Sequence, residues 1–444
     1  MKGNHQTNDI KVLKFGGSSL ADAEHFLQVK KIVEAEEARR YVVPSAPGRR
    51  FPGDDKVTDL LYSCYDAVRS GEDIDPVFDR ITERYTAIID GLGIDLDLSS
   101  EFDQIRNSIT HHAGRDYAAS RGEYLNGIIL AKLLGYDFID AAYVIYFREN
   151  GSFDDEGTNE VLKELLKKHT HAVIPGFYGS MPNGTVKTFS RGGSDITGSV
   201  VARAAGADLY ENFTDVSGFF MTDPRIVENP RRIDVITYAE LRELSYMGAM
   251  VFHEDAIFPV RREGIPINIR NTNEPSDPGT MIVASSDTYE DSVITGIAGK
   301  KGFSIINVEK DMMNAEIGFG RRVLEAIENC GLCFEHLPSG IDTMSVLIST
   351  ADITPVKDRV LDSIQKSVTP DLLSFEDGLA LIAVVGRGMV KAKGTAARIF
   401  NAMASAGINI RMIDQGSSEL NIVVGVDEHD FEEAIRAIYA EFTK

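Results

Sequence analysis

Two stretches near the C-terminus match each other without a gap at an offset of 76 residues. Glycines carry the register: Gly318 falls on Gly394, Gly331 on Gly407 and Gly340 on Gly416. Met313 falls on Met389 and Arg322 on Arg398. The apolar positions follow, Val323 with Ile399, Leu324 with Phe400, Ile327 with Met403, Leu332 with Ile408 and Val346 with Ile422. A repeat this long is a small domain rather than one turn of a solenoid. Each copy reads strand, glycine-containing turn, helix, strand, turn, strand, then a final helix at Thr354–Ser367 or Glu428–Phe442. That β-α-β-β-α-β order is ferredoxin-like. Ile294–Ala298 and Ala380–Val385 read as an extra strand ahead of each copy.

The N-terminal part obeys a different pattern. Val12–Phe15, Arg40–Pro44, Val173–Pro175, Thr185–Phe189 and Ile265–Ile269 read as strands. Ala21–Ala38, Asp116–Leu134, Ser194–Ala205 and Tyr238–Met247 read as helices. This alternation predicts a sheet covered by helices on both faces. Asn271–Asp287, rich in Asn, Ser, Pro, Asp and Thr, reads as a linker or exposed turn region.

Charge narrows the partners. With 68 acidic against 46 basic side chains in 444 residues, the formal charge is −22. That balance argues against coating nucleic acid or an anionic membrane. It leaves room for a locally basic pocket that takes small anions. Apolar runs such as Ala141–Phe147 fall far short of the roughly 20 residues that span a bilayer. The polar start, Met1–Asp9, lacks the apolar segment of a signal peptide. Three cysteines make no disulfide framework, and a cytoplasmic protein is expected.

Two turns can hold anions. Lys14-Phe15-Gly16-Gly17-Ser18-Ser19 joins a strand to a helix. The glycines let the backbone approach a ligand, the helix start offers N–H groups, and Lys14 reaches a phosphate as a point charge. Neither a Walker loop nor a G-x-G-x-x-G pattern is present there. Arg191-Gly192-Gly193-Ser194-Asp195 opens a second helix with a guanidinium suited to a carboxylate. Asp195 alone reads equally well as a helix cap. Glu123, in Ser120-Arg121-Gly122-Glu123, can bind an ammonium, although an exposed helix carboxylate is the commoner fate. Thr214-Asp215-Val216-Ser217-Gly218 and Thr222-Asp223-Pro224-Arg225 read as turns at a strand end, where open α/β sheets contact nucleotides. The Cys330-Gly331-Leu332-Cys333 pair has no second pair and reads as structural, and His111-His112 as solvated.

Lys14–Ser19, Ser45-Ala46, Gly122-Glu123, Arg191–Asp195, Thr214–Arg225 and Asn268–Thr272 together resemble the aspartate kinases, over the whole chain. The resemblance implies a three-layer α/β/α amino-acid-kinase sandwich followed by two ferredoxin-like ACT domains. The catalytic domain would be 1–285, the first ACT domain 302–370, and the second, discontinuous one 291–299 plus 371–444. It implies the monofunctional form, converting ATP and L-aspartate to ADP and 4-phospho-L-aspartate, at the head of lysine, threonine and methionine synthesis. Lys14 and Asp195 would serve the reacting centre, with Gly16, Gly17 and Ser18 cradling phosphates. Ser45, Thr58, Glu123, Arg191 and Ser194 would hold aspartate. Thr214, Asp215, Phe220 and Arg225 would contact the nucleotide, and Mg²⁺ would arrive with ATP, with no resident metal site. An aspartate carboxylate is ionised at pH 7, so the reaction needs positioning and charge neutralisation rather than a general base.

Two positions depart from the family pattern. Met250 stands where a lysine is usual, and Phe220 where a tyrosine is. A glutamate or acetylglutamate kinase, or a non-catalytic amino-acid sensor, are the competing readings. The resemblance further implies homodimers, or dimers of dimers, joined through the ACT domains. An amino-acid effector would bind at Met313, Asn314, Gly318, Phe319, Cys333, Phe334, Glu335, Ser339 and Asp342. Two carboxylates there, Glu335 and Asp342, suit the two ammonium groups of lysine better than threonine.

Overall fold

The computed structural model describes residues 9–190, 192–248, 257–286 and 293–444. The chain forms two compact units, one of Met1–Phe219, Asp234–Tyr238 and Val251–Ser286, the other of Phe220–Ile233, Ala239–Met250 and Asp287–Lys444.

The first unit holds strands β1 (Lys11–Phe15), β2 (Arg39–Pro44), β3 (Asp137–Phe138), β4 (Ala172–Val173), β5 (Tyr178–Ser180), β6 (Val186–Thr188), β7 (Leu209–Thr214), β8 (Val235–Thr237), β9 (Ile267–Asn271) and β10 (Thr280–Val283). Eight of them form one sheet in the order β3-β4-β2-β1-β7-β9-β10-β8. All its pairs are parallel except β9 with β10. Strand β1 lies between β2 and β7, so the chain leaves it in opposite directions. Crevices of this kind, at the carboxyl ends of the strands, are where open α/β sheets bind ligands.

Side chains on β1 alternate between faces, as strand geometry requires. Leu13 and Phe15 enter a core built with Phe26, Leu61, Phe78, Tyr85 and Ile129 from the helices Ala23–Glu34, Val57–Ser70, Asp75–Leu92 and Arg115–Leu134. Phe15 stacks on Phe213 of β7 at 5.0 Å between ring centroids. Lys14 takes the other face, the one on which its ion-pair partner in the helix Gly193–Ala205 lies.

Three expectations are corrected here. Asn271–Asp287 is not merely a linker: Thr280–Val283 forms β10, antiparallel to β9 and parallel to β8. The polar residues ahead of it build the turn: Gly279 takes φ +69°, and Asp277 Oδ1 accepts the Gly279 N–H at 2.8 Å. A side chain at Gly279 would lie 1.9 Å from the Ile269 carbonyl oxygen, so only glycine fits. The predicted strand Thr185–Phe189 appears as β6, but in a separate two-stranded ribbon with β5.

The third correction concerns the second unit. It holds β11 (Gly296–Glu309), β12 (Thr343–Ser349), β13 (Leu372–Val385), β14 (Met412–Asp414) and β15 (Asn421–Asp427), in the order β12-β11-β13-β15-β14. The two "extra" strands are the halves of 14-residue strands rather than separate elements. The register of β11 on β13 shifts between Lys300 and Phe303, where Gly302 takes φ +91°. Before the shift β11 pairs only with β13, and beyond it with both β12 and β13. One sheet therefore serves both repeats. The strand expected after the first repeat's helix is reduced to bridges at His336 and Ser339.

Candidate active site

Four loops meet the carboxyl edge of the first unit's sheet, after β1, β2, β7 and β9. The β1 turn is held tightly. Gly16 N–H donates to the Phe213 carbonyl at 3.1 Å, and Gly48 N–H donates to the Gly17 carbonyl at 2.8 Å. A side chain on Gly17 would come within 2.8 Å of the Ala46 carbonyl oxygen, which is why position 17 is a glycine. Ser18 is exposed at the head of the short helical turn Gly17–Leu20.

Lys14 is buried at the end of β1, with its Nζ 2.7 Å from Asp195 Oδ1. Asp195 sits in the first turn of the helix Gly193–Ala205, whose N-cap, Gly192, has φ +62°. The same Oδ1 accepts from Asn212 Nδ2 at 2.7 Å. Asn212 is the β7 residue registered against Lys14 on β1, so the parallel pairing places all three groups together. Sequence reasoning passed over Asn212; its position two residues before Thr214, on the same strand face, was the available clue.

The β2 loop carries Ser45, whose N–H donates to the Phe15 carbonyl at 3.0 Å. The long loop that follows is locked from below. Arg84, buried on the helix Asp75–Leu92, donates to Asp54 Oδ2 at 2.5 Å and to the Gly48 carbonyl at 3.1 Å. Arg50 also grips Asp54, at 2.9 Å through Nη2, and holds that carboxyl well below its usual range. Thr58 lies in the first turn of the next helix, half-buried, one residue beyond Val57, whose N–H donates to the Pro47 carbonyl at 3.3 Å.

Glu123 faces this loop from the helix Arg115–Leu134. That helix is buried on nearly every side through its middle. A side chain on Gly122 would come 2.7 Å from the Ala46 Cβ, and this close approach presses Glu123 against the loop. The carboxyl is 5% exposed and accepts the Ala46 N–H. Its Oε2 is buried and has no partner among the described residues. Burial therefore pushes the Glu123 carboxyl up to about 8. One helical turn on, fully buried Asn126 donates from Nδ2 to the Ser45 carbonyl at 2.7 Å, a residue the sequence reading missed.

Ser194 is buried beneath Gly176, where an added side chain would strike it at 2.6 Å. Thr214 ends β7, with its hydroxyl donating to Asp215 Oδ1 at 3.1 Å, and Asp215 is exposed. Phe220 and Arg225 belong to the second unit. There Phe220 bridges to Arg232, and the exposed Arg225 pairs with Asp223 at 2.5 Å. Arg191 and Met250 lie outside the described residues.

The expected effector residues all fall in the second unit. Gly318, at φ +77°, caps the helix Phe319–Glu328. Met313 and Phe319 are buried, and Asn314 N–H donates to the Ile341 carbonyl at 3.1 Å. Asp342 Oδ1 accepts the Met312 N–H at 2.9 Å, and Glu335 accepts the Tyr246 hydroxyl. Ser339 donates to the Leu337 carbonyl at 3.2 Å, and Cys333 and Phe334 are exposed. Seven of these residues border the strand β12 and the turn before the helix; Cys333 and Phe334 are offered to solvent.

A strand switch point flanked by two glycine turns, with the Lys14–Asp195 pair between them, is an arrangement suited to small anions. The amino acid kinase family model matches residues 9–271, and an ACT domain model matches residues 382–442. The crystal structure of Clostridium acetobutylicum aspartate kinase has a TM-score of 0.93 at 53% identity, covering 98% of this chain and 100% of that one. Aspartokinase 3 of Bacillus subtilis is 40% identical, covering 98% of each chain. Escherichia coli aspartokinase III, solved with aspartate and ADP, shares the fold at a TM-score of 0.74 and 24% identity, over 98% of this chain and 100% of that one. The chain belongs to the aspartokinases of the amino acid kinase family, enzymes that phosphorylate aspartate. Among the described residues, no helix is long and apolar enough to cross a membrane.

Proposed function

We propose that the chain moves the terminal phosphoryl group of ATP to the β-carboxylate of L-aspartate, under feedback control by lysine. The observation that carries the substrate assignment is the buried Glu123 carboxyl, one oxygen of which lacks a partner among the described residues, on the same loop cluster as the Gly17 turn. An isolated buried carboxylate calls for a cation, and a free α-ammonium is one. An N-acylated amino acid carries none, which disfavours an acetylglutamate kinase.

In this reading Ser45, Thr58 and Ser194 line the aspartate pocket, and Arg191 grips a carboxylate by the resemblance alone. Gly16 has committed its N–H to Phe213, so phosphate contact falls mainly to Gly17, Ser18 and the Lys14 ammonium. Asp195 orients Lys14, and Lys14 offsets the charge gathering on the transferring group. Thr214 and Asp215 meet the nucleotide from the β7 end; Phe220 and Arg225 rest on the resemblance. Mg²⁺ bound to ATP would neutralise phosphate charge.

The domains divide at 1–285, 302–370 and 291–299 plus 371–444, with the two halves of β11 serving the two ACT repeats. Glu335 and Asp342 each keep further lone pairs for the ammonium groups of lysine. Ile317 and Ile341, 95% and 69% exposed on the first repeat, suit an ACT-to-ACT homodimer or dimer of dimers. A cytoplasmic location fits this chemistry.

The deciding experiment is ADP release with aspartate and with glutamate, each with and without millimolar lysine. Aspartate-dependent release that lysine suppresses is expected, with Glu335→Ala relieving the suppression. Equal turnover of glutamate would refute the substrate assignment, and indifference to lysine the effector assignment.

A further inference from the structure

Glu123 is not the only buried group on its helix with an unused acceptor. Asn126 is 0% exposed, and its Oδ1 has no partner among the described residues. The orientation of its amide is set by the partner it does have. The Ser45 carbonyl can only accept, so Nδ2 must face it and Oδ1 must face away. Residues three apart on a helix are neighbours on one face. Glu123 and Asn126 also engage consecutive residues of one loop, Glu123 at Ala46 and Asn126 at Ser45. Neither oxygen has a donor from a described neighbour, and both belong to the helix face that meets the β2 loop.

An unsatisfied buried acceptor is costly, and in the free chain the proton that burial keeps on Glu123 is the one donor at hand among the described residues, until a ligand ammonium replaces it. A hydroxyl offers one hydrogen and an ammonium three. We propose that Asn126 is a second receptor for the aspartate ammonium, with Oδ1 accepting one N–H while Glu123 Oε2 accepts another. This rests on the reading of Glu123 given above and extends it. The same side chain that reads the ammonium holds the Ser45 loop through its other end, so substrate capture and loop position are joined in one amide. Asn126 contacts substrate here as a specificity residue; it takes no proton.

Two substitutions of similar volume separate the ends of that amide. Asn126→Leu removes both donor and acceptor. Asn126→Asp keeps an acceptor towards the ammonium but loses the donor to Ser45. The aspartate KM and kcat of the full chain are measured for both, with the ATP KM as a reference for the remainder of the site. A rise of about tenfold in aspartate KM is expected for Asn126→Leu, the size of one lost hydrogen bond to a charged group. Asn126→Asp should recover part of that loss, with a lower aspartate KM than Asn126→Leu, and the ATP KM should hold in both. If Asn126→Asp is as impaired as Asn126→Leu, the residue only anchors the loop and the proposal fails. It fails also if Asn126→Leu binds aspartate as wild type does. Should Asn126→Leu not fold, Asn126→Ala takes its place in the same comparison. Glu123→Gln, measured alongside, keeps the two readings apart. A normal aspartate KM there removes the ammonium site altogether, whereas a raised one with a normal Asn126→Leu removes only Asn126 from it.

Discussion

Replacing Glu123 with glutamine should make the ligand-free chain more stable at pH 8 and leave it unchanged near pH 5. The carboxyl ordinarily ionises at 4.5 and is pushed up to about 8 by burial in the middle of the helix Arg115–Leu134. Between those values the unfolded chain has lost a proton that the folded chain keeps. Raising the pH therefore favours unfolding throughout that window, and the loss levels off above about 8. Each pH unit is worth about 1.4 kcal/mol for one group. From 4.5 to neutrality this amounts to about 3 kcal/mol, an order-of-magnitude figure for a buried carboxyl. Glutamine keeps the shape and an acceptor for the Ala46 N–H, carries no charge, and turns an NH₂ donor towards Asn126. The assay is urea unfolding of both proteins at pH 5, 7 and 8 without aspartate, read as the difference between them. That difference should open from zero to a few kcal/mol in favour of the variant. A constant difference across the series, or a wild type that is the more stable at pH 8, would show that Glu123 is ionised and satisfied in the free chain.

Two further outcomes follow from the geometry. Lys14→Ala should lower kcat by about 10²–10³ while the fold holds, because the lysine acts on charge that develops in the transition state; near-normal turnover would misplace the phosphate site. Asp54→Ala should lower stability by about 3–5 kcal/mol, since it strands the buried Arg84 guanidinium; a denaturation midpoint unchanged from wild type would show that the loop is held by other means.

The turns that frame the candidate site were legible in the sequence because they rest on local backbone demands. Gly17 marks a turn with no room for a side chain, and Gly192 and Gly318 take a positive φ that favours glycine, and such needs show in the letters themselves. The repeat was legible for the same reason, since its glycines and apolar positions recur at one spacing. Strand β10 was not legible: the polar turn that builds it looks like linker, and what makes Thr280–Val283 a strand is pairing with β9 and β8. The long strands β11 and β13 were likewise hidden, because their register shift depends on partners far away in the chain.

Charge states and pairings belong to the tertiary structure alone. Glu123 in the sequence is one of 68 acidic residues, and nothing local says that one of its oxygens is buried without a partner. Asn212 joins Lys14 and Asp195 only because β7 lies parallel to β1 in a particular register. Arg84 locks a loop 30 residues away from it in sequence, at Asp54. Local sequence determines where the backbone can turn and which faces are apolar, since those depend on sterics and periodicity within a few residues. Desolvation and the meeting of distant polar groups depend on which surfaces are pressed together, and only the folded chain decides that.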